Sequence, residues 1–360
     1  SRRVLILFSG PYARPDGLVA FLQRLGLEVV PVDNDSSGGD KTHDLLRNEF
    51  YSDLLRRAQR GEFLVIWAAP PCSTFSICRF LPTRTPGGGP PIIRRRQEGQ
   101  VTGARDCPQK NRRELKVSNE LTSRTIAILR AGFDAGSECG LENPIDAGNE
   151  DHPEHLVDRE HAPLWLMPEV IAFKRHAGCR EVTFPQCSFG SIYRKMTTFL
   201  LTPALGHILG DLNNLRYTHT HHEQRAGGER DAQGIWNSKV AARYPPDLNW
   251  TLAGAFNALI DDPRARHERR FRQITTPTTL PTSTGAINPP QPLAHTPPQL
   301  PPPQLPPQAP DEPSDVSATA GAQTRPAPAE VTPSSVEGIP DVLTQPSELP
   351  DLPSSRTRSK

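Results

Sequence analysis

Residues 63–72 read Phe63-Leu64-Val65-Ile66-Trp67-Ala68-Ala69-Pro70-Pro71-Cys72. The first seven are apolar without alternation, which predicts a short strand buried on both faces, as in a parallel sheet covered by helices. The prolines that follow cannot extend the ladder, so the strand ends there and the chain turns. Upstream, Val4–Phe8 is another apolar run, closed by Ser9-Gly10. Leu18, Phe21, Leu22 and Leu25 then recur at helical spacing up to Gly26. Val29, Val30 and Val32 predict a second strand ending in Asp33-Asn34-Asp35, and Glu49–Arg60 predicts a helix with Phe50, Leu54 and Leu55 on one face. Strand, helix, strand, helix, strand predicts an α/β fold with a doubly wound, mostly parallel sheet. Such sheets bind ligands at the carboxyl ends of their strands.

Downstream of Cys72, residues 78–111 are rich in Gly, Pro and Arg and are expected to form a mobile basic loop with too little apolar content to pack. A helix is expected over 112–131. A strand is expected over 133–141, weakened by Gly136 and Gly140. Pro163–Lys174 predicts a helix perturbed by Pro168. Arg180–Phe184 and Thr197–Leu201 predict later strands. Pro246 opens a last helix with Leu248, Leu252, Ala255 and Leu259 in register.

The chain has 360 residues, 40 prolines and a formal net charge of +1. Residues 275–360 hold 21 of those prolines and no Cys, Phe, Trp or Tyr. That composition cannot bury enough apolar surface to offset chain entropy, so a disordered, Pro-rich linker or tail is expected there. One folded domain is expected over residues 1–274. The tail carries a charge of −4, which leaves +5 on 1–274 and permits an anionic partner. Apolar runs are far shorter than the ~20 residues of a membrane span, and no secretory signal is visible, so the nucleus or cytoplasm is expected. Six cysteines without any CxxC pair predict neither a disulfide framework nor the usual structural zinc site.

The chemistry centres on Cys72. Two prolines restrict the backbone ahead of a thiol at the carboxyl end of a buried strand, which fixes that side chain over a ligand cleft. A thiolate is a strong nucleophile. Leu141-Glu142-Asn143-Pro144 ends another expected strand, which sets Glu142 at the same sheet edge as Cys72.

In that order, Phe8-Ser9-Gly10, Asp33, Pro70-Pro71-Cys72 and Glu142-Asn143-Pro144 resemble the cytosine-5 DNA methyltransferases. The likeness runs from about residue 4 to 258. It is nearest to the short methyltransferase-like domains of eukaryotic mobile-element polyproteins, through Cys187-Ser188-Phe189-Gly190, Arg194-Lys195 and Tyr244-Pro245-Pro246-Asp247-Leu248. The resemblance implies a Rossmann-like fold that uses S-adenosyl-L-methionine to methylate carbon 5 of cytosine in DNA. By it, Cys72 would attack carbon 6 of a flipped-out base while Glu142 and Arg194 assist. Phe8, Ser9, Gly10, Asp33, Asn34, Asp44 and Pro70 would bind the cofactor, with Asp33 on the ribose and Asp44 on the adenine. Pro71, Ser73, Asn143, Pro144 and Lys195 would bind substrate. Residues 202–243 form a short, reduced target-recognition region.

Other readings stay open. The same residues could methylate RNA cytosine, or serve a degenerate, non-catalytic nucleic-acid-binding domain of a polyprotein. Between Arg84 and Arg130 lie eleven basic and four acidic residues, which matches either a loop that contacts phosphates or a charged insertion. His219, His221 and His222 lack an evident fourth ligand and are read as a polar loop, so no metal is expected. Arg264–Arg272, with five arginines, reads equally as a nucleic-acid contact or a solvated helix end. Further polyprotein segments or proline-binding domains are the partners open to the tail.

Overall fold

The computed structural model describes residues 2–35, 38–80, 90–151, 160–217, 219, 222, 224–226 and 237–262. These all lie in the first of two units, Ser1–Ser283. The tail at 275–360, the arginines at 264–272, His221 and Arg84 fall outside the described residues.

The elements follow the apolar pattern. The strands of the main sheet are β1 (Arg3–Leu7), β2 (Glu28–Val32), β3 (Val65–Ala68), β4 (Glu138–Pro144), β5 (Arg180–Pro185) and β7 (Met196–Leu201). Their order is β2-β1-β3-β4-β7-β5. From β2 to β4 every pairing is parallel, while β7 runs antiparallel to both β4 and β5. The sheet is therefore mixed and mostly parallel. The reversal has a simple cause. Only residues 186–195 separate β5 from β7, too short a span for the crossover that a parallel neighbour needs.

Helices cover both faces. Alternation along β1 sends Val4 and Ile6 to one side and Leu5 and Leu7 to the other. On the first side pack α1 (Leu18–Arg24), α5 (Pro203–Leu209) and, after the short α6 (Asn237–Val240), α7 (Pro246–Ala258), through Leu22, Leu205, Leu252 and Phe256. On the second pack α2 (Asn48–Gln59), α3 (Arg112–Asp134) and α4 (Pro168–His176), through Leu54, Ile128, Leu129 and Phe173. Two apolar layers around a buried sheet explain why β1 and β3 carry unbroken apolar runs. No helix among the described residues is long and apolar enough to cross a membrane.

Three expectations need correction. Pro168 does not perturb a helix; it opens α4, after a separate 3-10 turn at Leu164–Leu166. Proline at the first helical position loses no hydrogen bond, because that N–H has no partner inside the helix. The strand expected over 133–141 sits later, at Glu138–Pro144, because α3 continues to Asp134 and Gly136 turns the chain at φ 96°. Gly140 does not weaken β4. A Cβ there would lie 2.2 Å from the Trp67 ring, so its absence is what lets the indole pack across the sheet.

The third concerns 78–111. Its described residues 90–107 pack onto the body, with Ile93 fully buried and Arg94 only 2% exposed. The Arg94 guanidinium lies 3.9 Å from the Phe75 ring centroid and donates to Thr74, Ser118 and the Val101 carbonyl. A low apolar count missed this because a satisfied arginine stands in for a core residue.

Candidate active site

A cleft of about 640 Å³ opens at the carboxyl ends of β1 to β4. The chain leaves β1 toward β2 on one side and returns to β3 on the other, and ligands of open α/β sheets bind at that switch point. The volume falls within the ~300–1,000 Å³ of small-molecule sites.

One half of the cleft is made by the ends of β1 and β2. Phe8 takes φ 61°, a left-handed conformation rare outside glycine. Strain of this kind, ~1–3 kcal/mol, persists only where the surroundings enforce it. Here Phe8 N–H and Ser9 N–H both donate to the Val32 carbonyl, at 2.7 and 3.2 Å. Gly10, at φ 70°, then donates its N–H to Asp33 Oδ2 at 2.8 Å, and Asp35 N–H donates to Asp33 Oδ1 at 2.8 Å. The Asp33 carboxylate is thus fixed by two backbone donors. The Tyr12 hydroxyl ties in the same strand end by accepting from Asp33 N–H at 2.9 Å, and it lies 2.7 Å from His43 Nδ1. His43 stacks on Phe50. Asp44 holds the turn before α2 by accepting from Leu46 N–H at 2.9 Å. Phe8, Ser9, Gly10, Asp33, Asn34 and Asp44 all line the cleft.

The other half gathers at β3 and β4. After Ala68 the chain runs through Ala69 and Pro70, whose carbonyl accepts from Asn143 Nδ2 at 3.2 Å. Phe75 N–H closes a turn on the Cys72 carbonyl at 2.9 Å. Burial pushes the Cys72 thiol up to about 11. The nearby Lys195 ammonium opposes that rise, and the Glu142 carboxylate adds to it.

Glu142, on β4, is 6% exposed. Its Oε1 accepts from the Thr197 hydroxyl on β7 and lies 3.8 Å from Lys195 Nζ. The Tyr244 hydroxyl accepts from Trp67 Nε1 at 3.3 Å, and its phenol feels the Glu142 charge. Burial first, and then the Glu142 charge, hold the Tyr244 phenol well above its usual range. Tyr244 is itself held by its backbone. Its carbonyl accepts from Arg14 Nη2 at 3.1 Å and from Asn249 Nδ2 at 3.4 Å. Two separate segments, 195–197 and the stretch at Tyr244, therefore surround one carboxylate.

Of the residues expected from sequence, Pro70, Pro71, Cys72, Glu142, Pro144 and Lys195 also line the cleft. Three do not. Asn143 is buried at 1% exposure and works from behind, tying β4 to the Pro70 carbonyl rather than touching a ligand. Ser73 is exposed outside the lining, and its carbonyl accepts from Arg79 Nε. Arg194 is exposed on the short strand β6 (Tyr193–Arg194), with its guanidinium over the Tyr217 ring at 5.4 Å. Strand alternation turns neighbouring side chains to opposite faces. Lys195, rather than Arg194, is the cation beside Cys72 and Glu142.

Of the ten described basic residues in the stretch 84–130, four are engaged within the fold, while Arg105, Lys110, Arg112, Arg113, Lys116 and Arg130 are exposed. Arg95 pairs with Asp106 and Glu160, Arg96 with Asp146, and Arg124 with Glu120, while Arg94 is buried. Sequence reasoning missed Thr197, Trp67, Arg14 and Asn249 as parts of the site, and gave Tyr244 no role. Lys239 and Arg243 add positive charge to the cleft wall, where Arg14 is paired with Asp16. Comparison of the chain with protein-family models gives no match, and comparison with curated proteins gives none either.

Proposed function

We propose that this domain is an S-adenosylmethionine-dependent DNA cytosine-5 methyltransferase. The observation that carries the reading is that Cys72 and Glu142 face the same cleft as Phe8, Gly10 and Asp33. The first pair suits a cytosine ring, and the second group suits a nucleoside cofactor. The donor set also fits. A carboxylate at the end of the second strand is placed for ribose hydroxyls, and backbone at a glycine turn allows close approach of a ligand. In finer terms the fold would then be the Rossmann-like sheet of such enzymes.

The residues divide the work. Burial favours the protonated Cys72 thiol, and Lys195 is the group that favours its thiolate. The target base must leave the duplex to reach it. The thiolate sulfur then forms a bond to carbon 6, and the electron pair of the carbon 5–carbon 6 double bond shifts toward carbon 5. Glu142 hydrogen-bonds ring nitrogen 3 as well as the exocyclic amine, and so stabilises the charge that develops on the ring. S-adenosylmethionine, when bound, supplies the methyl group. Loss of the carbon-5 proton to water, with departure of the Cys72 sulfur, restores the ring double bond and the enzyme.

The test is transfer of labelled methyl groups to duplex DNA, with tRNA as the competing acceptor. Label on DNA cytosine that disappears with Cys72→Ala supports the reading. Label on tRNA alone would move the substrate to RNA. No label on either, with no cofactor binding by calorimetry, would overturn the enzyme reading.

A further inference from the structure

Three side chains from two distant segments meet outside the lining of the cleft. Cys187 lies in a 3-10 turn, Gln186–Phe189, between β5 and β6. His219 and His222 come from the stretch before β8 (Gln224–Arg225), which pairs in parallel with β6. The ligand atoms of Cys187, His219 and His222 all lie within 4.8 Å of one another. The Nε2 atoms of His219 and His222 approach to 3.0 Å, head to head.

That geometry is close to a metal site. With zinc–nitrogen bonds of ~2.0–2.1 Å and a zinc–sulfur bond of ~2.3 Å, a tetrahedral site has N···N edges of about 3.3 Å and S···N edges of about 3.6 Å. Small side-chain rotations therefore close the triad on an ion. One thiolate and two imidazoles form a borderline-soft set, suited to zinc and unsuited to magnesium or calcium. The surroundings brace the ligands. The Tyr217 ring meets His222 edge-on at 5.3 Å, and the Arg194 guanidinium covers Tyr217. The Ser188 hydroxyl reaches the Arg216 carbonyl at 3.5 Å, a second tie between the same two segments.

We propose that Cys187, His219 and His222 bind one zinc ion, with water as the fourth ligand. The ion clips His219 and His222, ahead of β8, to the turn after β5. The expectation of a plain polar histidine loop lacked Cys187, because nothing in sequence spacing joins the two segments. The site is independent of the methyl-transfer reading and stands or falls separately from it.

The experiment uses the full chain, stripped with chelator and then titrated with zinc or cobalt(II). The expected result is about one equivalent bound. Cobalt should give the intense absorption of tetrahedral coordination together with a thiolate-to-cobalt charge-transfer band. Cys187→Ser should remove the charge-transfer band and weaken zinc binding by at least about 100-fold. His219→Gln changes an exposed side chain and should weaken binding likewise, which keeps the test intact if the Cys187 variant fails to fold. Zinc should raise the melting temperature of the parent chain and not that of either variant. Overturning results are cobalt spectra without a charge-transfer band, zinc affinity unchanged by both substitutions, or uptake of copper but neither zinc nor cobalt.

Discussion

The two halves of the cleft are built by different means. At Phe8–Gly10 and Asp33, backbone groups hold the geometry, and most partners are near neighbours across one strand pair. At Cys72 and Glu142, side chains from β4, β7 and the segment before α7 hold it. A backbone-built half tolerates side-chain change at most positions. A side-chain-built half concentrates its sensitivity in a few atoms, with Lys195 and Glu142 acting in opposite directions on the Cys72 thiol.

The largest expected effect falls in the second half. Cys72→Ala should lower methyl transfer by roughly 10³-fold or more, while cofactor affinity by calorimetry stays within about twofold. Glu142→Gln should follow, with a fall of about 10²–10³-fold in kcat. The same variant should react faster at Cys72 with an alkylating agent. Removing the Glu142 charge lowers the thiol pKa, so more thiolate is present at any pH below about 11. Lys195→Met should do the reverse, because the cation that favours the thiolate is lost. Alkylation rates that move together in these two variants would break the proposed electrostatic coupling.

Smaller effects sharpen the contrast. Asp33→Asn should weaken cofactor binding by about tenfold, equal to ~1.4 kcal/mol, and leave the alkylation rate of Cys72 unchanged. An altered Cys72 rate would show that the two halves are not separable. Tyr244→Phe removes the acceptor of Trp67 Nε1 and should cost ~1–2 kcal/mol in urea denaturation. Gly140→Ala forces a methyl against the Trp67 ring and should destabilise by ~1–3 kcal/mol, with little change in cofactor affinity of the folded fraction.

The same contrast explains what could be read from sequence. Strands β1 to β3 and helices α1 and α2 follow from local apolar period, which needs no knowledge of distant residues. Cys72 and Glu142 were legible because prolines mark both strand ends. Thr197 carries no local mark, and the Tyr244-Pro245-Pro246 motif marks a likeness without giving Tyr244 a role. Their roles exist only once β7 inserts between β4 and β5 and the segment before α7 folds back over Trp67. Arg194 and Lys195 could not be told apart either, since a neighbour in a strand is only one pleat away from the site. The strand at 138–144 reads as weak from sequence for a related reason. Gly140 costs local propensity, yet Trp67, a distant residue, requires it.

The central claim is that Cys72 and Glu142 act on one cytosine. Duplex DNA bearing 5-fluorocytosine tests it most directly, because fluorine at carbon 5 cannot leave as a proton and the adduct persists. The expected result is a covalent protein–DNA complex that forms only with S-adenosylmethionine, maps by peptide mass to Cys72 and vanishes in Cys72→Ala. No complex with the parent chain under conditions where cofactor binds, or a complex that survives Cys72→Ala, would contradict the account.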